Sequence, residues 1–199
     1  KHEAYRLAEL RDLVATGRVR IPDFQRSFRW GNQDVVALFD SLHQGYPIGN
    51  LLMWKRDAPE HRVIVGSIEI DAPRRSDALW LVDGQQRVTS IANAMDARSE
   101  GDARFAVGYD LENARIVSTK GRRSRSVVPF YLLFDFESAW KWFEERAEIQ
   151  SLRGRYMEAF NVFNAVSVPA TVLEDADEDK LRVIFDRINQ SGKRLKAFE

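Results

Sequence analysis

Three polar clusters in this chain combine residue types and spacings suited to holding a phosphate. In the first, Leu79-Trp80-Leu81-Val82 reads as a continuous apolar strand that runs straight into Asp83-Gly84-Gln85-Gln86-Arg87. Val88, Ile91, Ala92 and Met95 then recur at helical spacing, so the spacing predicts a helix over about residues 84–96. The polar residues therefore fall at a strand end and a helix start, where free N–H groups and the positive end of the helix dipole favour an anion. Gly84 allows close backbone approach, and Arg87 adds a guanidinium fork. The same residues would also make a plain capped turn facing solvent. The second cluster is Ile21-Pro22-Asp23-Phe24-Gln25-Arg26-Ser27-Phe28-Arg29-Trp30, where Phe24, Phe28 and Trp30 could bury and hold Gln25 and Arg26 between them. The third is Phe185-Asp186-Arg187-Ile188-Asn189-Gln190-Ser191-Gly192-Lys193, at the end of an amphipathic helix that Gly192 would terminate.

Positioning these clusters requires a mixed α and β scaffold. The pattern predicts a first helix over 3–16 stopped by Gly17, a short strand at Arg18–Ile21, and a second helix capped by Asn32. Strands follow at Asn50–Trp54 and at Arg62–Ile70, the latter broken at Gly66, then a polar loop from Pro73 to Asp77. A hairpin is expected from Phe105–Tyr109 and Ala114–Ser118. Helix is expected through Phe136–Asn164 with a break near Gly154, then a strand at Val166–Leu173. Leu181, Ile184, Phe185 and Ile188 mark a final helix, preceded by an acidic run over 174–179 that suits a helix N-terminus.

Composition narrows the chemistry. The 199 residues contain no cysteine, which excludes thiolate nucleophiles, iron–sulfur clusters and Cys-ligated zinc. Thirty basic residues balance thirty acidic ones, so no overall field draws the chain to nucleic acid or membrane. Of the basic residues 23 are arginine, the better bidentate partner for phosphate, although GC-rich coding gives the same skew. One basic cluster, Lys120-Gly121-Arg122-Arg123-Ser124-Arg125, reads as a solvated loop or as a contact to a phosphate backbone. His2, His43 and His61 have no metal-ligand spacing. With no apolar run near the ~20 residues a bilayer requires, the chain reads as soluble and cytoplasmic. It reads as one domain over 1–199. The missing initiator Met and the ending Lys196-Ala197-Phe198-Glu199 suggest a piece of a longer protein.

Taken together, Ile-Pro-Asp-Phe-Gln-Arg-Ser-Phe-Arg-Trp, Leu-Val-Asp-Gly-Gln-Gln-Arg-Val-Thr-Ser-Ile and Phe-Asp-Arg-Ile-Asn-Gln-Ser-Gly-Lys-Arg-Leu resemble the signatures of the GmrSD-type restriction endonuclease N-terminal family. They occur in the family's order between residues 21 and 195, with Ser90 where a second Thr is expected and no recognisable motif between 98 and 165. The resemblance implies an α+β fold: a ParB/sulfiredoxin-like mixed sheet with surrounding helices and a helical C-terminal part. It also implies nucleoside triphosphate binding and hydrolysis, GTP favoured, in prokaryotic defence systems acting on modified phage DNA, with cleavage by a separate C-terminal nuclease module. Carried onto this chain, the nucleotide set is Gln25, Arg26, Asp83, Gly84, Gln85, Gln86, Arg87, Arg187 and Asn189.

On that reading Arg26, Arg87 and Arg187 neutralise phosphate charge, and Asp83 holds Mg²⁺ or positions water. Gln85 or Gln86 orients the attacking water. Arg87→Ala is expected to abolish nucleotide binding and leave the fold intact, an exposed arginine contributing little packing. Two rivals stand beside it: a sensor that binds nucleotide or modified DNA without hydrolysis, for which Arg122, Arg123 and Arg125 would serve, and direct DNA nicking, which no acidic metal cluster supports.

Overall fold

A computed structural model describes residues 1–22, 27–121, 124–174 and 183–184. Along the chain run β1 (His2–Arg6), α1 (Leu7–Ala15), β2 (Val19–Arg20), α2 (Asn32–His43), β3 (Leu51–Ala58), β4 (His61–Val65), β5 (Ile68–Ala72) and β6 (Arg75–Asp83). Then come α3 (Gln85–Ala94), β7 (Val107–Asp110), β8 (Arg115–Ser118), β9 (Val127–Pro129), α4 (Phe136–Glu144), α5 (Arg153–Ala165) and β10 (Ser167–Leu173), with short 3-10 turns between. The class is mixed α and β, built on a mixed sheet of order β1-β10-β3-β6-β2. A β4–β5 hairpin and a three-stranded sheet β8-β7-β9 complete the described strands.

Strand direction in the main sheet decides which segments meet. β2 runs parallel to β6, with Val19 opposite Leu79 and Arg20 opposite Trp80. The chain that leaves β2 toward the second polar cluster therefore exits at the same end as Asp83. β3 is antiparallel to β6 with Leu52 opposite Asp83, so the loop before β3 arrives at that end too. β10 is parallel to β3; its pairing starts at Leu51, at the Asp83 end, and finishes with Leu173 opposite Trp54, midway along β3.

One face of this sheet joins α1, α2 and α3 in the core. α1 buries Leu7, Leu10 and Val14; α2 buries Val35, Leu38, Phe39 and Leu42. α3 is buried on all sides from Val88 to Ala94, polar Thr89, Ser90 and Asn93 included. Such a helix is an interior element rather than an amphipathic surface one. A second packing centre joins α2 to α5, where the Phe130 ring lies 4.2 Å from Phe39 and 4.9 Å from Phe163 between centroids.

Several expectations from sequence need correction. The helix expected over 3–16 begins only at Leu7, because residues 2–6 are drawn into an antiparallel ladder with β10. Asn32 does not cap α2. Gly31 occupies that position, its N–H donating to Asp34 Oδ2 at 2.8 Å. The Asn32 amide instead donates to the Ala106 carbonyl at 3.0 Å and its oxygen accepts from Ser118, fastening α2 to the β7–β8 hairpin. Residues 62–70 form two strands turning at Gly66, and the supposed loop at 75–77 is already β6. The break expected at Gly154 falls before it, in the 3-10 turn Ala147–Leu152. The final helix and nearly all of the acidic run lie outside the described residues, apart from helical 183–184.

Candidate functional site at the start of α3

Asp83 closes the β6 ladder, Gly84 turns the chain, and α3 begins at Gln85. The turn requires Gly84 to adopt φ +97°, a left-handed conformation that side-chain-bearing residues avoid. A Cβ there would also overlap the Leu51 side chain. The first helical bond runs from the Val88 N–H to the Gly84 carbonyl at 3.0 Å. The N–H groups of Gln85, Gln86 and Arg87 are thereby left without intrahelical partners at the positive end of the helix.

Arg87 is already held. Its Nη2 donates to Asp83 Oδ2 at 2.9 Å and its Nη1 to the Ile48 carbonyl at 3.0 Å. The antiparallel β3–β6 pair makes this possible, since it brings the loop before Leu51 beside Asp83. The Arg87 side chain is only 14% exposed and that of Asp83 44%. The expectation of an exposed Arg87 that contributes little packing is thus corrected: it bridges a strand end, a helix and a loop.

Gln86 reaches the other way. Its Oε1 accepts from the N–H groups of Arg29 at 2.8 Å and Trp30 at 3.1 Å, and its Nε2 faces the Ser27 carbonyl at 3.5 Å. The structure thus brings the first polar cluster onto residues 27–30 of the second. Phe28 supports the same segment by packing on Phe105, ring centroids 5.1 Å apart. Gln85 is half-buried, and its side chain makes no hydrogen bond among the described residues. Gln25, Arg26, Arg187 and Asn189 lie outside the described residues, as do Arg122 and Arg123.

At the other end of α3 is a polar node that the sequence pattern missed. Asn93, 1% exposed, donates to the carbonyls of Val65 at 2.9 Å and Thr89 at 2.8 Å. Its oxygen accepts from the Ser67 N–H and the Ser99 hydroxyl, each at 2.9 Å. Gly66, at φ +66°, lets the β4–β5 turn sit against that amide, which a Cβ would overlap. The signal was present as a lone Asn on a helix with a Gly-Ser turn elsewhere, but nothing in the spacing pairs them. Beside the node, the Arg104 guanidinium holds the Asp102 carboxyl well below the usual range, assisted by the Ser67 hydroxyl. A hollow of about 850 Å³ also opens at this end, between Asn93, Asp110, Lys120, Tyr131 and Trp142, and includes none of Asp83–Arg87.

Residues 7–199 match the GmrSD restriction endonuclease N-terminal domain. The chain belongs to that family. It is thus a domain of the kind found in restriction systems. An uncharacterized protein of Methanocaldococcus jannaschii is 24% identical over 241 aligned positions, which take in the whole of this chain and 41% of that protein. This GmrSD N-terminal domain thus spans about two fifths of the relative's length. Among the described residues no helix is long and apolar enough to cross a membrane. No group of three or more His, Asp or Glu side chains there could hold a metal ion by itself.

Proposed function

We propose that this domain binds a nucleoside triphosphate, GTP by preference, at the start of α3 and hydrolyses it with Mg²⁺. In the longer protein this would gate cleavage of modified phage DNA by a separate nuclease module. The ParB/sulfiredoxin-like relationship and the cytoplasmic setting belong to the same reading. What supports it is the Arg87 fork, fixed by Asp83 and Ile48 beside three helix-start N–H groups. Phosphoryl transfer needs chiefly such positioning and charge neutralisation. Mg²⁺ fits the donor set in a limited way: Asp83 has one oxygen on Arg87 and the other without a bond among the described residues, and Mg²⁺ usually takes one or two carboxylates with phosphate oxygens and water. Bound there, the ion would supply charge neutralisation at the phosphates. Gln25, Arg26, Arg187 and Asn189 complete the proposed nucleotide set.

A non-hydrolysing sensor is the second reading, and one observation favours it: Arg87 already neutralises the single carboxylate at the turn. Thermal-shift titration of the intact protein with GTP, ATP, CTP and UTP in Mg²⁺ tests binding, because a ligand raises the melting temperature by mass action. Phosphate release that depends on Arg87 supports the enzyme; binding without release supports the sensor. No shift with any of the four removes the enzyme and the nucleotide sensor, and leaves a sensor of modified DNA alone standing.

A further inference from the structure

Adjacent glutamines at a helix start are interchangeable in the sequence, and either could orient a water. Counting hydrogen-bonding sites separates them. A glutamine side chain has an oxygen with two acceptor sites and a nitrogen with two donors. Gln86 spends both acceptor sites on backbone, one on the Arg29 N–H at 2.8 Å and one on the Trp30 N–H at 3.1 Å. Two donors converging on one atom require that atom to be the oxygen, so the orientation of the amide is fixed by its surroundings. The nitrogen in turn faces the Ser27 carbonyl. No acceptor site remains to take a hydrogen bond from an attacking water and so orient it. Gln85 differs, for its amide has no partner among the described residues.

We infer that Gln86 is a positioning residue, a latch that fastens residues 27–30 to the start of α3, and that Gln85, without a partner among the described residues, is the glutamine that faces the reaction. This rests on the nucleotide reading above for Gln85, but the latch itself does not. The latch has a structural logic. The segment after β2 is tied at one end by the β2–β6 ladder and at the other by Gln86. The peptide between those ties carries Gln25 and Arg26 in sequence, so its two ends answer to the same strand–helix unit that carries Asp83 and Arg87. Phe28 on Phe105 is a further hold, apolar and without direction; the two N–H bonds to Gln86 set the register.

The experiment uses the intact protein, with hydrogen exchange read at single amides alongside steady-state phosphate release. Gln86→Leu removes both acceptors and should speed exchange at the Arg29 and Trp30 amides tenfold or more, while amides in the middle of α3 stay protected. Gln86→Glu keeps two acceptor sites on one oxygen and should restore that protection and recover kcat relative to the Leu variant, with a higher KM from the added negative charge. Gln85→Leu should lower kcat and leave those two amides protected. Unchanged exchange in Gln86→Leu overturns the latch. So does a Glu variant that regains protection but turns over no faster than the Leu variant, because Gln86 would then act on the reaction itself. A protein that neither binds nor hydrolyses any of the four nucleotides sinks the function proposed above; exchange at Arg29 and Trp30 then judges the latch alone.

Discussion

Arg87→Ala should destabilise the domain measurably even with no nucleotide present, and Asp83→Ala should not match it. The difference follows from where each bond is made. Removing the guanidinium leaves the Ile48 carbonyl without its charged donor in a partly buried loop, a loss of about 1.5–3 kcal/mol for a hydrogen bond to a charged group. The Asp83 ion pair adds about 0.2–1 kcal/mol, because the carboxylate is 44% exposed and well screened. The sum is roughly 2–4 kcal/mol, which for a domain near 200 residues is a fall of roughly 4–16 °C in melting temperature. Asp83→Ala deletes only the ion pair and leaves Arg87 on Ile48, so its cost stays below about 1 kcal/mol. Urea unfolding of wild type, both single variants and the double variant gives all four corners of the cycle. The reasoning fails if Arg87→Ala costs less than about 1 kcal/mol, or if Asp83→Ala costs as much. Either result would mean that Arg87 is not held by Ile48 before a ligand arrives.

Asn93→Ala deletes four hydrogen bonds and leaves the buried Val65 carbonyl and Ser99 hydroxyl unpaired, so a loss of about 3 kcal/mol is expected in urea unfolding. Gly84→Ala forces a left-handed φ on alanine and overlaps Leu51, costing about 2 kcal/mol or more; a melting temperature equal to wild type would show that the turn relaxes freely. The Tyr156 hydroxyl donates to the Leu132 carbonyl at 2.8 Å, and burial pushes its pKa up to about 12. The native state therefore keeps that proton after the unfolded chain loses it near pH 10, and the stability it contributes is present below about pH 10 and falls away as pH rises toward 12. Tyr156→Phe should lose less stability than wild type over that interval; parallel curves would contradict the assignment.

The β6–α3 unit was legible because its signals agree: an unbroken apolar strand, a glycine, then helical spacing from Val88 to Met95. The β7–β8 hairpin was legible for the same reason. Residues 2–6 were not, since Tyr5 falls into one ragged apolar stripe with Leu10, Leu13 and Val14, and only pairing with β10 makes them a strand. Arg75 to Asp77 look like a loop by polarity, and become strand through β3, where Ala58 faces Arg75. At the site, the residue types of Asp83–Arg87 could be read, but their partners could not. Ile48 lies 39 residues before Arg87, and Arg29 and Trp30 lie 57 and 56 before Gln86; no local spacing encodes those meetings.

The outer pairings of the main sheet bear on how the chain is made. β1 ends at Arg6, yet its partner β10 begins only at Ser167, and β3 also waits for β10 on one of its sides. At ~5–20 residues per second, a ribosome takes on the order of ten to thirty seconds to supply that strand. Until then β1 has no ladder, and β3 presents one open edge. The hairpins β4–β5 and β7–β8 and the β3–β6, β2–β6 and β7–β9 pairs can all close before β10 is made. Ribosome-bound chains halted before residue 167 should therefore be cut by protease at β1, at sites that the completed domain protects.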